Sequence, residues 1–130
     1  MKIYLAANWN RREDMVRKKE KVEAAGHTVT SRWIDQTFDT DVANAWADMK
    51  DLMDAEALFL FNDVGGEYDG SGGKYVELGI ALSCGMPIIC IGKKERNIFL
   101  SIPTIQHVSN LKQALSLIVP IGDVEGVEVV

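Results

Sequence analysis

The chain is poor in the features that mark secreted, membrane-spanning and nucleic-acid-binding proteins. It has two cysteines and three prolines in 130 residues, and no apolar run approaches the roughly 18 residues that cross a bilayer. Fourteen lysines and arginines stand against nineteen aspartates and glutamates, and the net charge of −5 argues against a polyanion such as duplex DNA. The N-terminus is too polar for a signal peptide. We therefore expect a soluble globular protein without membrane or nucleic-acid partners.

The few cysteines and histidines do not have the spacing of a metal site. Cys84 and Cys90 have no neighbouring ligand residue, and His27 and His107 lie far apart in the chain; nothing matches CxxC or HExxH spacing. Two cysteines are also too few for a disulfide framework. We predict that both are reduced core residues of a cytoplasmic protein, and we predict neither a metal nor a cofactor.

Hydrophobic patterning predicts strands that alternate with helices along the chain. The expected strands are 2–7, 27–31, 57–61, 88–91 and 105–108, and the expected helices are 11–25, 42–54, 75–83 and 110–117. This alternation predicts an α/β fold: a doubly wound, Rossmann- or flavodoxin-like parallel sheet of about five strands with helices on both faces. We expect one domain over 1–119 and a C-terminal tail over 120–130.

Local signals predict where the helices begin and end. Asn10 and Glu13 have the spacing of a capping box, which predicts a helix from about Arg11. Gly26 suits the position after that helix, and Asn110 suits the start of the last one. In doubly wound sheets ligands bind beyond the carboxyl ends of the strands, so the loops after the first, third and fourth strands are the expected site.

A glycine-dense stretch over 65–73 precedes the third helix. Glycines before a helix let backbone N–H groups face an anion. The spacing is neither a Walker A motif nor GxGxxG, so it assigns neither ATP nor NAD. A flexible surface loop explains the same composition.

Glu77 is the most informative acidic residue. Its helix is apolar on every side, which predicts a buried helix, and carboxylates are rarely buried without a partner or a purpose. A positioned carboxylate at the end of an α/β sheet suits a nucleophile toward a sugar carbon. The alternative is a first-turn glutamate that satisfies free helix N–H groups.

Asp48 is the second candidate acid. It shares a helical stripe with Ala45 and Leu52, so we expect it near the buried side, although a solvated position is also compatible. Three neighbouring aspartates are predicted to be solvated: Asp41, Asp51 and Asp54. Tyr4 on the first strand and Asn8 just after it are open to a core or turn role as well as to ligand contact.

Taken together, three segments resemble the nucleoside 2-deoxyribosyltransferase superfamily, including its 2′-deoxynucleoside 5′-phosphate N-hydrolase branch. The strongest is Ser71-Gly-Gly-Lys-Tyr-Val-Glu77-Leu-Gly, followed by Gly-Met-Pro and an apolar strand. The second begins at Asp48 and runs into the third strand, and the third is Lys2-Ile-Tyr4-Leu-Ala-Ala. The resemblance covers roughly residues 2–117.

The resemblance implies a role for several residues. Glu77 is the nucleophile that attacks the anomeric carbon, Asp48 assists departure of the base or positions the sugar, and Tyr4 orients the glutamate. Ser71, with Gly72 and Gly73 beside it, corresponds to the loop that binds a 5′-phosphate.

The resemblance also implies further substrate contacts. Asp69 is the nearest counterpart of an acid that contacts the leaving base in the transferase branch. The turn after the first strand departs from the hydrolase pattern, because Ala7-Asn8-Trp9-Asn10-Arg11-Arg12 replaces a turn of glycine and serine. Asn8 and Arg11 are therefore the candidate substrate contacts there, with Arg12 as an alternative to Arg11.

The implied function is cleavage or transfer at the N-glycosidic bond of a 2′-deoxynucleoside or its 5′-monophosphate, without a cofactor. Hydrolase and transferase both remain open, since water or a second base can resolve the same glycosyl ester. Trp9, Trp33 and Phe61 are candidates to stack a base or to fill the core. A non-catalytic nucleotide-binding module and a ligand-free flavodoxin-like interaction domain are the alternatives. The resemblance further implies a homo-oligomer, built on the second helix and the segment 99–103.

Overall fold

A five-stranded parallel sheet is the centre of the computed structural model, which describes residues 1–62, 72–93 and 97–118. Its strands are β1 (Lys2–Ala6), β2 (Thr28–Val29), β3 (Ala57–Asn62), β4 (Ile88–Gly92) and β5 (Ile105–Val108). They lie in the order β2-β1-β3-β4-β5, so the predicted doubly wound α/β fold is confirmed. The order reverses between β1 and β3, and this is where such sheets form a ligand crevice.

Four α-helices connect or follow these strands: α1 (Arg12–Ala24), α2 (Asp41–Met53), α3 (Gly73–Ser83) and α4 (Leu111–Ser116). The Asn110 side chain accepts a hydrogen bond from the Gln113 N–H at 2.9 Å and caps α4 as predicted. The predicted capping box at Asn10 is wrong. Asn10 lies in a short 3-10 turn over Trp9–Arg11, and α1 begins after it without a side-chain cap.

The core lies on both faces of the central strands. Every residue of β3 is buried, as is β1 from Ile3 onward, which explains their nearly continuous apolar sequence. Cys90 on β4 is buried as predicted, but Cys84 is exposed. The prediction for Cys84 is wrong because this residue follows the last turn of α3, beyond the part of the helix that packs on the sheet.

The expectation that α3 is buried on every side is also wrong. Lys74, Leu78 and Ala81 face inward, whereas the Val76 side chain is 65% exposed. The helix packs on β3 and β4 and beside α2, so its outer side stays open. Within the described residues, no helix has the length and apolar character needed to cross a membrane.

Candidate active site

A pocket of about 330 Å³ lies at the carboxyl ends of β1 and β3, within the size range of small-molecule sites. Four segments form its described wall: the turn after β1, the segment after β2, residues 41–48 of α2 and the first half of α3. The lining residues are Ala7, Trp9, Trp33, Gln36, Thr37, Asp41, Asn44, Asp48, Gly73, Lys74 and Glu77. Of the expected places, the turn after β1 and the start of the helix after β3 contribute to the described wall, whereas the segment after β4 does not, and the segment after β2 contributes without having been expected.

Glu77 lines this pocket and contacts Tyr4, which lies behind the described wall. Tyr4 is fully buried on β1, and its hydroxyl donates a hydrogen bond to Glu77 Oε2. Burial, the nearby Glu77 and Asp48 raise the pKa of Tyr4, so the phenol stays a neutral donor. The contact fixes the Glu77 carboxyl against the sheet, with Asp48 in the facing wall of the same pocket.

Two of the three acids that line the pocket, Glu77 and Asp48, have a strongly raised pKa. Burial raises the pKa of Glu77 to about 8; the hydrogen bond from Tyr4 acts in the opposite direction, and the nearby Asp48 adds to the rise. Burial and Asp51 raise the pKa of Asp48 to about 6, against the lowering effect of Arg32. Near neutral pH the pair therefore holds about one proton. Such a pair supplies one acid and one base at the same pH.

The start of α3 brings one of the predicted loop glycines, Gly73, to the pocket wall, with Gly72 next to it in the chain. Gly72 caps the helix with φ +65°, a left-handed conformation that favours glycine. Gly73 follows it and lines the pocket. Ser71 and Asp69, predicted to contact the 5′-phosphate and the base, lie outside the described residues.

The turn after β1 is arranged differently from the prediction. Neither Asn8 nor Arg11 belongs to the described wall of the pocket. The Asn8 carbonyl accepts a hydrogen bond from the Arg11 N–H at 2.9 Å. The Arg11 guanidinium pairs with Asp14 at 2.6 Å and lies 5.9 Å from the centre of the Phe61 ring. It thus packs on the α1 side of the sheet.

Two of the three candidate stacking aromatics line the pocket. The ring centres of Trp9 and Trp33 are 6.1 Å apart, and Trp33 Nε1 donates to the Leu5 carbonyl at 2.9 Å. Trp9 is half exposed. Phe61 is 1% exposed and is not part of the described wall, so it fills the core.

The prediction that Asp51 is solvated is wrong. Its side chain is buried and accepts hydrogen bonds from Arg32, from the backbone N–H at 3.0 Å and from Nε at 2.9 Å. Arg32 reaches it from the 3-10 turn after β2, a contact across 19 residues. The helical pattern alone does not reveal such a partner.

Sequence reasoning also missed five pocket residues: Gln36, Thr37, Asp41, Asn44 and Lys74. A lysine among the apolar residues of α3 was the one available signal. Within the described residues, no group of three or more His, Cys, Asp or Glu side chains is arranged to hold a metal ion.

Comparison with known proteins gives matches among solved structures. No family model matches the chain, and no curated protein matches it. A 2-deoxyribosyltransferase from Bacillus psychrosaccharolyticus superposes with a TM-score of 0.72 and 19% identity, covering 88% of this chain and 90% of that one.

Two further structures have the same architecture. The CMP N-glycosidase BcmB of Clostridium botulinum has a TM-score of 0.62 and 18% identity, over 90% of this chain and 97% of that one. A conserved protein from Enterococcus faecalis has a TM-score of 0.59 and 14% identity, over 89% and 95%. The chain therefore has the fold of a deoxyribosyltransferase and of a nucleotide N-glycosidase. The fold implied by the sequence resemblance is confirmed.

Proposed function

We propose that the chain is an enzyme that cleaves or transfers at the N-glycosidic bond of a 2′-deoxynucleoside or its 5′-monophosphate. Two structural neighbours are named for deoxyribosyl transfer and for CMP N-glycosidic cleavage, which supports N-glycosidic chemistry in general. The observation that carries the proposal is the Glu77 carboxyl, fixed by the Tyr4 hydroxyl in a pocket that also contains Asp48.

In the proposed reaction Glu77 is the nucleophile. Its carboxylate attacks C1′ as the bond from C1′ to the base nitrogen breaks, and the transition state has positive charge at C1′. The reactive form of the pair has its one proton on Asp48, which is the less populated of the two arrangements because the pKa is about 8 for Glu77 and about 6 for Asp48. Asp48 donates that proton to the departing base. The hydrogen bond from Tyr4 favours the ionised form of Glu77. Water then resolves the glycosyl ester in a hydrolase, and a second base does so in a transferase.

The part of the pocket wall formed by the segment after β2 is suited to bind the base. Trp9 and Trp33 offer aromatic surface there. The Asn44 amide is committed to the Phe38 backbone by hydrogen bonds of 2.8 and 3.3 Å. Gln36 and Thr37 are exposed on the same side, and we propose that they contact the edge of the base.

The test is release of free base from a panel of deoxynucleosides and their 5′-monophosphates, followed by chromatography. Acid-quenched samples are then digested, and mass spectrometry locates the pentosyl ester. We expect the ester on the peptide that contains Glu77, and we expect Glu77→Gln to lower turnover at least about 1,000-fold. Glu20→Gln, at an exposed position on α1, is the matched control.

Two results would contradict this proposal. Turnover that survives in Glu77→Gln removes the nucleophile, and nucleotide binding by the wild type without release of base favours the non-catalytic module. Addition of a second free base separates the two reaction types, since a new nucleoside forms only in a transferase.

We propose in addition that a second copy of the chain packs on the outer side of α2. Four large apolar side chains with helical spacing are exposed there: Val42, Trp46, Met49 and Met53. An apolar groove of about 250 Å³ between α2 and α3 adjoins them and shares Asp48, Gly73 and Glu77 with the active-site pocket. Such a stripe is typical of an interface. We expect a dimer by sedimentation and a monomer for Trp46→Lys; a monomeric wild type would contradict the proposal.

A further inference from the structure

A buried lysine in the pocket wall has no part in the reaction as proposed. Lys74 is 5% exposed and lines the pocket. Its Nζ donates a hydrogen bond to Asn62 Oδ1 at 2.6 Å. Asn62 is itself 3% exposed, at the end of β3, and its Nδ2 lies 3.6 Å from Cys90 Sγ on β4. These contacts fix the position of the ammonium group at the carboxyl end of the sheet.

The strand order defines where Lys74 lies relative to the rest of the pocket. Trp33, Gln36 and Thr37 follow β2, whereas Lys74 belongs to the helix that follows β3. Because β1 lies between β2 and β3, these two groups are on opposite sides of the end of β1. Glu77 is bound to Tyr4 of β1. The strand order therefore separates the aromatic and amide side chains that follow β2 from Lys74 and Glu77 on α3, with β1 between them.

This arrangement orients a nucleoside in one direction. If the base lies on the tryptophans and C1′ faces Glu77, the furanose ring extends toward α3 and carries its 5′ substituent with it. Residues three apart on a helix share a face, so Lys74 and Glu77 face the same end of the sugar. A hydroxyl group needs only a neutral partner, whereas a charge-assisted hydrogen bond suits a phosphate.

We propose that Lys74 is a specificity-determining residue that binds the 5′-phosphate, and that the substrates are nucleoside 5′-monophosphates in preference to nucleosides. The proposal rests on the function proposed above. Asn62 acts as a positioning residue, because its side chain holds the ammonium group in the pocket wall.

The test compares kcat and KM for 2′-deoxycytidine and 2′-deoxyguanosine with those for their 5′-monophosphates. Lys74→Gln removes the charge but retains a donor for Asn62, Lys74→Arg retains the charge, and Lys93→Gln is the matched control. Lys93 is an exposed lysine just after β4, and it is not part of the described pocket wall.

We expect the wild type to prefer the monophosphates and Lys74→Gln to raise their KM about 10- to 100-fold. The KM for the nucleosides should change less than about 2-fold, Lys74→Arg should restore most of the preference, and Lys93→Gln should match the wild type. Inorganic phosphate should inhibit the wild type competitively and Lys74→Gln more weakly.

Other outcomes overturn the inference. An equal loss for nucleosides and monophosphates in Lys74→Gln means that Lys74 only anchors α3. Turnover of both substrate classes by the wild type without a preference overturns the phosphate role and leaves the proposed function intact. No release of base from either class overturns the proposed function and this inference with it.

Discussion

Asp48 and Asp51 are three residues apart on α2, yet their surroundings differ. Asp51 is buried against Arg32, which donates to it from its backbone and its guanidinium. Asp48 is half-buried in the pocket wall, and its pKa is raised to about 6 by burial and by Asp51. A paired buried acid supports the fold, whereas an acid kept beside other acids is costly to the fold. Acids of the second kind are the ones expected in a functional site.

The largest expected difference between Asp48 and Asp51 is the effect of their substitution on turnover. Asp48→Asn removes the proposed proton donor, so we expect kcat/KM to fall about 100- to 10,000-fold. Asp51→Asn makes the same chemical change three residues away, and we expect a change of less than about 5-fold because that residue contacts Arg32. Steady-state release of base at pH 7 measures both. Equal losses in the two variants would remove the distinction.

The next effect is on the free energy of unfolding. We expect Glu77→Gln to stabilise the protein and Asp51→Asn to destabilise it. The folded-state pKa of Glu77 is about 8, above the ordinary value of 4.5 for a glutamate, so the folded state binds the proton more tightly and loses stability as pH rises from 4.5 to 8. Glu77→Gln removes this loss. We expect it to stabilise the protein by about 3 kcal/mol at pH 8.5 and hardly at all at pH 4.5.

Asp51→Asn is the counterpart in the same measurement. It leaves the Arg32 guanidinium without its carboxylate, and because Arg32 is partly exposed we expect a destabilisation of about 2 kcal/mol. Urea titrations at the two pH values measure both variants. Two results would contradict this expectation. One is an Asp51→Asn variant that is more stable than the wild type, and the other is a stability difference between Glu77→Gln and the wild type that does not depend on pH.

The smallest effect concerns the hydrogen bond between Tyr4 and Glu77. That bond lowers the pKa of Glu77, so Tyr4→Phe should raise it further. The active form has one proton on the acid pair, and the pH profile should be a bell with limbs near 6 and 8. We expect Tyr4→Phe to lower kcat/KM about 10-fold and to shift the alkaline limb upward. An unmoved limb would mean that Tyr4 only fills the core.

Much of the fold was predictable because its signals are local. The strand over 105–108 agrees with β5 residue for residue, and Asn110 caps α4 as expected. The apolar runs of β1 and β3 follow from their burial on both faces. The first helix, predicted over 11–25, agrees with α1 to within one residue at each end. Its capping box is wrong because the turn after β1 tightens into a 3-10 turn that contains Asn10.

The candidate site was predictable in part. Tyr4, Asp48 and Glu77 were predicted from the sequence, and the structure brings them to one pocket. Asp51 was misjudged because its partner comes from a turn 19 residues away. Lys74 was not predicted as a site residue, because the spacing of residues along α3 does not reveal its hydrogen bond to Asn62 at the end of β3. Contacts between distant segments carry no periodic signal.

The hydrogen bond from Tyr4 to Glu77 joins residues 73 positions apart in the chain. A nascent chain that has emerged from the ribosome only through β3 therefore contains Tyr4 but not Glu77. If Glu77 is the nucleophile, as proposed, release of base should begin only after α3 has packed on β3 and β4, so the appearance of that activity during refolding would time this step.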